Sequence, residues 1–317
     1  MKKLIQLIIL FISFAYSKGG IVSGFISDSS SGEALIGANV MIQETGQGMA
    51  TDINGYYIIQ NINPGSYTLM ASYVGFRVSR IQIIISDEES IKKDIEMVED
   101  LVQLTQVDVT AEKLQRRNNI QPSKINLSPR MMKAAPALAE PDLFRTIQAL
   151  PGVLTTSEYS TGLVIRGGNT DQNLIMLDGI TVYNPSHLGG VFSNFIVDGV
   201  KEAELIKGAY NAEYGGRLSA VLNVISREGN QKEFKGKANI SLLSAQTTLE
   251  GPFYKGAWIL SGRRTYFDLV LPKVLPDNIA TNIPPYFFYD VQGHIFSDIS
   301  SKDRFSLSYY TGIDDIL

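Results

Sequence analysis

The amino-acid sequence predicts a mainly β protein with a small α+β domain in its middle. Three observations carry this. β-Branched and aromatic runs punctuated by Gly, Asn and Pro extend to about residue 98. One helix-capable segment then sits among Gly-jointed strand segments between about 125 and 229. From Phe234 onward the chain alternates cleanly between apolar and polar residues. The predicted order is therefore a β-sandwich, a mixed α+β domain and a sheet of long alternating strands.

The first residues, "MKKLIQLIILFISFAYSKGG", have the form of a secretory leader. Lys2 and Lys3 form the positive region and Leu4 to Ala15 the apolar one. Ala15 and Ser17 are the small residues before a cut at Lys18, so residues 1–17 are expected to be a signal peptide. The apolar run is too short to span a bilayer, and no later stretch supplies the ~20 apolar residues a second helical span needs. Losing Lys2 and Lys3 takes the net charge from −4 to about −6, which disfavours a basic nucleic-acid face. Cysteine is absent, so no disulfide or thiolate metal site can form. An exported chain without disulfides must hold itself by burial, and this one is long enough to do so.

Residues 20–98 contain "ALIGANVMIQE", "YYIIQNI", "SYTLMASYVGF" and "SRIQIIIS", separated by turn clusters. Six or seven short strands at this spacing predict a small antiparallel sandwich. Asn54-Gly55 and Pro64-Gly65 are expected hairpin punctuation, with glycine at φ > 0. As a set, Gly24, Gly32, Gly37-Ala38, Thr51-Asp52, Asn54-Gly55-Tyr56, Pro64-Gly65, Tyr67 and Gly75-Phe76 resemble the carboxypeptidase regulatory-like domain. That resemblance implies a transthyretin-like sandwich without peptidase chemistry.

Residues 99–124 read as a linker that loses its apolar pattern after Thr110 and becomes charged. In the 125–229 segment, "EPDLFRTIQALPGV" predicts a helix. Pro141 opens it, Asp142 stands in its first turn, Leu143, Ile147 and Leu150 share a face, and Pro151-Gly152 stops it. "LVIRGG" and "NLIMLDGI" read as a hairpin, followed by strands at "VKEAELIKG" and "AVLNVISRE", which makes a small mixed sheet.

In 230–317, Lys235, Lys237, Asn239 and Ser241 oppose Phe234, Gly236, Ala238, Ile240 and Leu242, with a bulge or tight turn expected at Leu242-Leu243. Phe287, Tyr289, Val291 and Ile295 oppose Asp290, Gln292 and His294, and Phe305, Leu307 and Tyr309 oppose Arg304, Ser306 and Ser308. Any one such strand fits a half-buried sheet. Repeated in an exported chain, the pattern fits the start of a transmembrane β-barrel. Room for about six strands is short of the ~8 that the smallest bacterial barrels use, so the chain is expected to be C-terminally truncated.

"DLFRTIQALPGV", "IRGG", "LIMLDGI" and "VKEAELIKGAYNAEYGGRLSAVLNVISRE" appear in the order that resembles the plug of TonB-dependent outer-membrane receptors. The last segment also resembles their barrel at "EGPF", "SGRRTYFD" and "YDVQGHIFSDISSKDRFSLSYYTG". Barrels of about 22 strands have a lumen wide enough to hold a plug. The resemblance implies uptake of a nutrient (glycan, peptide or iron chelate) across the outer membrane, energised by periplasmic TonB, with the N-terminal domain in the periplasm. It also admits a surface substrate-binding lipoprotein as partner, since the sandwich extension is frequent in receptors of the Bacteroidota.

Within this reading Arg166 pairs with wall carboxylates expected beyond Leu317, and Gly167 and Gly168 let the backbone turn beside the wall. Asp178-Gly179 is expected to be a turn without chemistry. Gln106, Val107, Asp108, Val109, Thr110 and Ala111 form the candidate TonB box, a short extended piece suited to strand addition. The same run also reads as the last strand of the sandwich. "DLVLPKVLPDNIATNIPP" (268–285) is expected to be a Pro-rich loop.

The rivals are an enzyme and a non-transporting exported binding or adhesion protein. No H-E-x-x-H, G-x-S-x-G or P-loop spacing occurs, and His187 and His294 lie near no nucleophile in sequence. "DINGY" lacks the remaining ligands of a calcium loop. No catalysis, cofactor or metal is expected.

Overall fold

The structure, a computed structural model, describes residues 19–100, 124–135, 140–157, 160–241, 243–274, 286–300 and 303–316. The leader and the TonB-box candidate Gln106–Ala111 lie outside the described residues. The chain divides into two compact units, Met1–Asn119 and Ile120–Leu317.

The first unit contains β1 (Gly20–Asp28), β2 (Asn39–Ile42), β3 (Gly48–Ala50), β4 (Tyr56–Ile62), β5 (Gly65–Ser72), β6 (Ser79–Ile85), β7 (Ser90–Lys92) and β8 (Ile95–Met97). One sheet runs β4-β1-β7, with β8 also on β1, and the other runs β3-β2-β5-β6. Alternating residues of both meet in a core that includes Val22, Ile26, Val40, Tyr57, Leu69 and Met97. The sandwich is not purely antiparallel as expected, because β7 and β8 both lie parallel to β1.

The "DINGY" turn is the plain turn its residues suggest. Asp52 Oδ1 accepts from the Asn54 and Tyr56 amides, both at 2.9 Å, and Gly55 has φ +75°. Pro64-Gly65 behaves otherwise. Gly65 is not among the residues at positive φ, whereas Asn61 is, at φ 58°. Gly65 instead lies close under the Tyr67 ring, where a Cβ would stand 3.2 Å from it.

In the second unit, β9 (Lys124–Leu127) leads into α1 (Pro129–Ala134), a helix the sequence reading lacked, capped by Ser128. α2 (Leu143–Gln148) is the expected helix, beginning two positions later than Pro141: Asp142 is its N-cap, accepting from Arg145 N at 3.0 Å. β10 (Val153–Thr155) and β11 (Leu163–Ile165) follow, then β12 (Leu174–Leu177), β13 (Ile180–Thr181), β14 (Ser186–His187), β15 (Phe192–Ser193), β16 (Val200–Ile206) and β17 (Val221–Ser226). The mixed sheet has the order β13-β12-β17-β16-β9, with β12 parallel to β17. α1, α2 and one face of this sheet enclose a core of Leu127, Met132, Phe144, Ile147, Leu205 and Val224, among others.

β11 and β12 do not form the expected hairpin. β11 pairs with β10, and β12 pairs with β13 and β17. Between them Asn173 Nδ2 donates to Leu163 O at 2.7 Å, and residues Thr170–Gln172 make a 3-10 turn that sends the two strands to different sheets.

The last segment forms an antiparallel meander: β18 (Lys235–Ile240), β19 (Ser244–Phe253), β20 (Gly256–Thr265), β21 (Tyr286–Asp298) and β22 (Arg304–Ile316). The expected phase slip at Leu242-Leu243 falls partly outside the described residues, and beside it Ser241 N donates to Ser244 O at 2.9 Å. The expected loop at 268–285 begins instead with α3 (Phe267–Val274), and residues 275–285 lie outside the described ones.

Candidate functional site: the contact between the mixed domain and the meander

The meander presents its faces in the reverse of a soluble sheet. Asp290, Gln292 and Arg263 are buried, whereas Leu260, Phe305, Leu307, Tyr309 and Ile313 are exposed. These polar side chains are turned toward the mixed domain, on a face that also buries Ala257, Ile259, Phe288 and Phe296, and the exposed apolar side chains stand on the other face.

The upper contact centres on Arg263. Its position follows from strand period: Ser261, Arg263 and Thr265 share the buried face of β20, while Leu260 is on the other. Arg263 lies directly opposite Asp290 on β21 and donates to Asp290 Oδ2 from Nε (2.9 Å) and Nη2 (2.5 Å). Its Nη1 reaches Glu140 Oε1 of the mixed domain at 2.7 Å, and Nη2 also donates to Ser193 O at 2.6 Å. Glu140 Oε2 accepts from Ser244 Oγ on β19. Asp142, besides capping α2, accepts from Ser193 N at 2.7 Å. The guanidinium is thus fully enclosed, with carboxylates from both sides of the contact.

His187, at the end of β14, enters the same cluster. Its Nε2 is 2.6 Å from Asp290 Oδ1 and its Nδ1 is 2.9 Å from Asp314 Oδ2 on β22. The ring stacks on Phe288, centroids 4.1 Å apart at 10°. Leu188 donates its amide to Tyr286 OH and to Asp314 Oδ1, and Tyr286 OH also bonds Asp314. Room for the Asp290 carboxylate comes from Gly312, its register partner, where a Cβ would stand 2.8 Å from Oδ1.

Further contacts lie toward the other end of the strands. Asp198 of the mixed domain is held by Lys133 (2.6 Å) and by Lys237 of β18 (2.7 Å). Burial alone would raise the Asp198 carboxyl, but hydrogen bonds and charge from the two lysines outweigh it and hold it below the usual range. Gln292 donates to Gly199 O and Ser226 Oγ, both at 3.2 Å, and Arg227 pairs with Glu250 at 2.7 Å. Asp178, assigned no chemistry from the sequence, is a turn residue at φ +50° and also a contact. Its Oδ1 accepts from Ser226 N (2.8 Å) and its Oδ2 from Ser308 Oγ of β22 (2.6 Å).

The lock candidates occupy the turn after β11. Arg166 has φ +49° and is exposed, with no ion pair among the described residues. Gly167 has φ +82° with open space where a Cβ would be. Gly168 is packed, because a Cβ there would fall 2.3 Å from Ser219 Oγ. Sequence reasoning missed Glu140, Arg263, Asp314 and the role of His187. It did place Asp290, Gln292 and His294 on one polar face, and His294 Nδ1 lies 2.9 Å from Ser308 Oγ.

The mixed domain also encloses Glu202 on β16. Desolvation and the neighbouring Glu204 charge push its carboxyl up to about 7, and its Oε2 has no hydrogen-bond partner among the described residues. No three acidic, His or Cys side chains among the described residues are grouped to hold a metal. No helix among them is long and apolar enough to cross a membrane, which says nothing of a β-barrel.

Residues 22–109 match the family described as the CarboxypepD_reg-like domain, and residues 127–221 match the TonB-dependent Receptor Plug Domain. A TonB-dependent receptor of Formosa agariphila is 28% identical over 233 residues, covering 68% of this chain and 22% of the relative. The TonB-dependent transporter Oar of Myxococcus xanthus is 23% identical over 241 residues, covering 72% and 22%. The chain thus spans about a fifth of the length of these curated relatives. Among solved structures, the siderophore receptor PirA from Pseudomonas aeruginosa aligns with TM-score 0.43 and 18% identity, over 61% of this chain and 36% of that one.

Proposed function

We propose, on the premise that this chain is a TonB-dependent receptor with a carboxypeptidase-regulatory-like domain ahead of its plug, that it serves active uptake of a nutrient across the outer membrane. Its relatives are receptors and transporters, not enzymes. The family belongs to the outer membrane. The carrying observation is the reversed meander: the buried polar face of β20 and β21 grips the plug, while Leu260, Leu307, Tyr309 and Ile313 face outward as a lipid-facing band does. A plug held through ions and hydrogen bonds can be released into water without exposing a large apolar interface.

In this reading the imported nutrient is a glycan, a peptide or an iron chelate, and the sandwich stands in the periplasm behind the secretory leader. TonB takes hold of Gln106–Ala111 by strand addition and pulls. A surface lipoprotein is the further partner. Arg166, Gly167 and Gly168 remain the lock proposed from the sequence, with Arg166 free to meet a wall carboxylate.

The test is uptake by cells carrying the receptor with Val107→Pro, which removes a strand donor. Normal outer-membrane abundance with uptake lost supports the reading, and undiminished uptake removes Gln106–Ala111 as the handle. A wild-type product released by salt and carbonate washes would remove the transport reading itself and favour an exported binding protein.

A further inference from the structure

A neutral imidazole has one N–H donor and one lone pair. His187 has carboxylate oxygens at both ring nitrogens, Asp290 Oδ1 at 2.6 Å and Asp314 Oδ2 at 2.9 Å. Neither carboxylate offers a proton in return. Asp290 already accepts from Arg263 Nε and Nη2, and Asp314 accepts from Tyr286 OH and the Leu188 amide. Both contacts are satisfied together only when both ring nitrogens donate, as they do in the imidazolium.

We propose that His187 is a proton-dependent latch, whose imidazolium ties the plug to β21 and β22 and whose deprotonation loosens that tie. The inference rests on the plug-and-barrel reading above. The surroundings supply the required charge. Arg263 brings one positive charge to a cluster of Asp290, Asp314 and Glu140, with Asp142 nearby on the cap of α2, so the imidazolium is a second cation among four carboxylates. Phe288 stacked on the ring face leaves the ring's bonding to those in-plane partners. Loss of the proton would set a lone pair against a carboxylate in an enclosed site.

The latch is also the link between the exposed and the buried halves of the contact. The Asp314 side chain is 34% exposed, whereas those of His187 and Asp290 are at most 1% exposed. The loop that follows is set to respond, since Leu188, Gly189 and Gly190 all hold positive φ and Leu188 is fixed there by Tyr286 and Asp314.

The experiment uses the full receptor in lipid nanodiscs with 15N-labelled histidine, the His187 signals being assigned by their loss in His187→Gln. Both ring nitrogens should carry protons in the wild-type receptor at neutral pH, and titration with alkali should remove one. Over the same range, amide exchange in residues 186–194, corrected for its intrinsic rate, should accelerate by about tenfold. In Asp314→Asn the side-chain amide can donate to a neutral ring, so exchange should stay slow at both ends of the titration. A neutral His187 in wild type at neutral pH, or the same pH response in wild type and Asp314→Asn, overturns the latch. The wild-type signals alone decide the first point should the variant fail to fold. Recovery of the wild-type receptor outside the outer membrane would instead sink the reading on which the latch rests.

Discussion

Arg263 and Asp290 stand directly opposite one another on β20 and β21, joined by two hydrogen bonds to one carboxylate oxygen, and both side chains are almost wholly enclosed. A cross-strand ion pair on a sheet normally faces water. This one faces the mixed domain, and Glu140 completes it from that side. A single partner removed from such a cluster leaves buried charge uncompensated, at about 3–5 kcal/mol. Arg263→Met should therefore lower resistance to urea by about that amount. The triple change Arg263→Met, Asp290→Asn and Glu140→Gln should cost less than the single one, because no carboxylate is left facing the lost guanidinium and the amide oxygen at position 290 still accepts from His187. Equal losses would show that the arginine acts through its packing alone.

Strand alternation alone places Asp290, Gln292 and His294 on one face, because period two is a local property of the backbone. The partners of that face were not readable. Glu140, His187 and Arg263 are separated by long stretches of chain, and nothing in local spacing says that they meet. The β11–β12 hairpin failed for a related reason. Two apolar strands joined by a polar loop specify a hairpin only when the loop brings them back, and here Asn173 binds Leu163 O and diverts the second strand to β17. α1 was missed although "SPRMMKA" has a capping serine and a proline at its first position, both recognised start signals. Its six residues are too few to show a periodic face.

Gly312 tests how tightly the cluster is packed. A Cβ at this position would lie 2.8 Å from Asp290 Oδ1, which His187 holds while Arg263 holds Oδ2 of the same carboxylate, so the group cannot easily move. Gly312→Ala should cost about 1–3 kcal/mol. Gly262, on β20, has only a backbone oxygen 3.9 Å away from such a Cβ, so Gly262→Ala is the matched control and should be nearly neutral in the same urea titration.

Gly168→Ala separates the structural part of the "RGG" turn from its proposed lock. The new Cβ would overlap Ser219 Oγ, which itself donates to Ile165 O at 2.8 Å, so the end of β11 and the approach to β17 must shift. Arg166→Ala touches no ion pair among the described residues. Thermal unfolding should therefore drop clearly for Gly168→Ala, by roughly 1–3 kcal/mol, and hardly at all for Arg166→Ala. A large loss for Arg166→Ala would place its partner beyond the described residues.

Asp198 should make the opposite contact sensitive to acid. Its folded carboxyl is held below the ordinary 3.8 once the two lysines outweigh burial. The unfolded chain then binds the proton more readily than the folded one, so the stabilisation is present above the unfolded value and is lost as pH falls through the lowered folded value. Asp198→Asn should remove that acid-dependent part and leave Lys133 and Lys237 without their shared carboxylate. Urea titrations at neutral and at acidic pH should show the variant and wild type converging as the pH drops. A constant gap between them would mean that Asp198 contributes by hydrogen bonding alone.

Glu202 carries the reverse sign. Burial first, and then the Glu204 charge, raise its carboxyl from 4.5 to about 7 in the folded chain. Between those values the folded protein keeps a proton that the unfolded chain has released, so stability falls as pH rises from about 4.5 to about 7 and levels off above it. The enclosed carboxylate, whose Oε2 has no partner among the described residues, then weakens the mixed domain at neutral pH by an amount on the order of 1–3 kcal/mol. Glu202→Gln has the same shape and no titration, so it should raise stability at about pH 7.5 and match wild type near pH 4. Urea unfolding followed across this range checks both ends of the curve. A variant that is destabilised at every pH would show that the carboxylate is paired in the folded chain and that its burial is compensated.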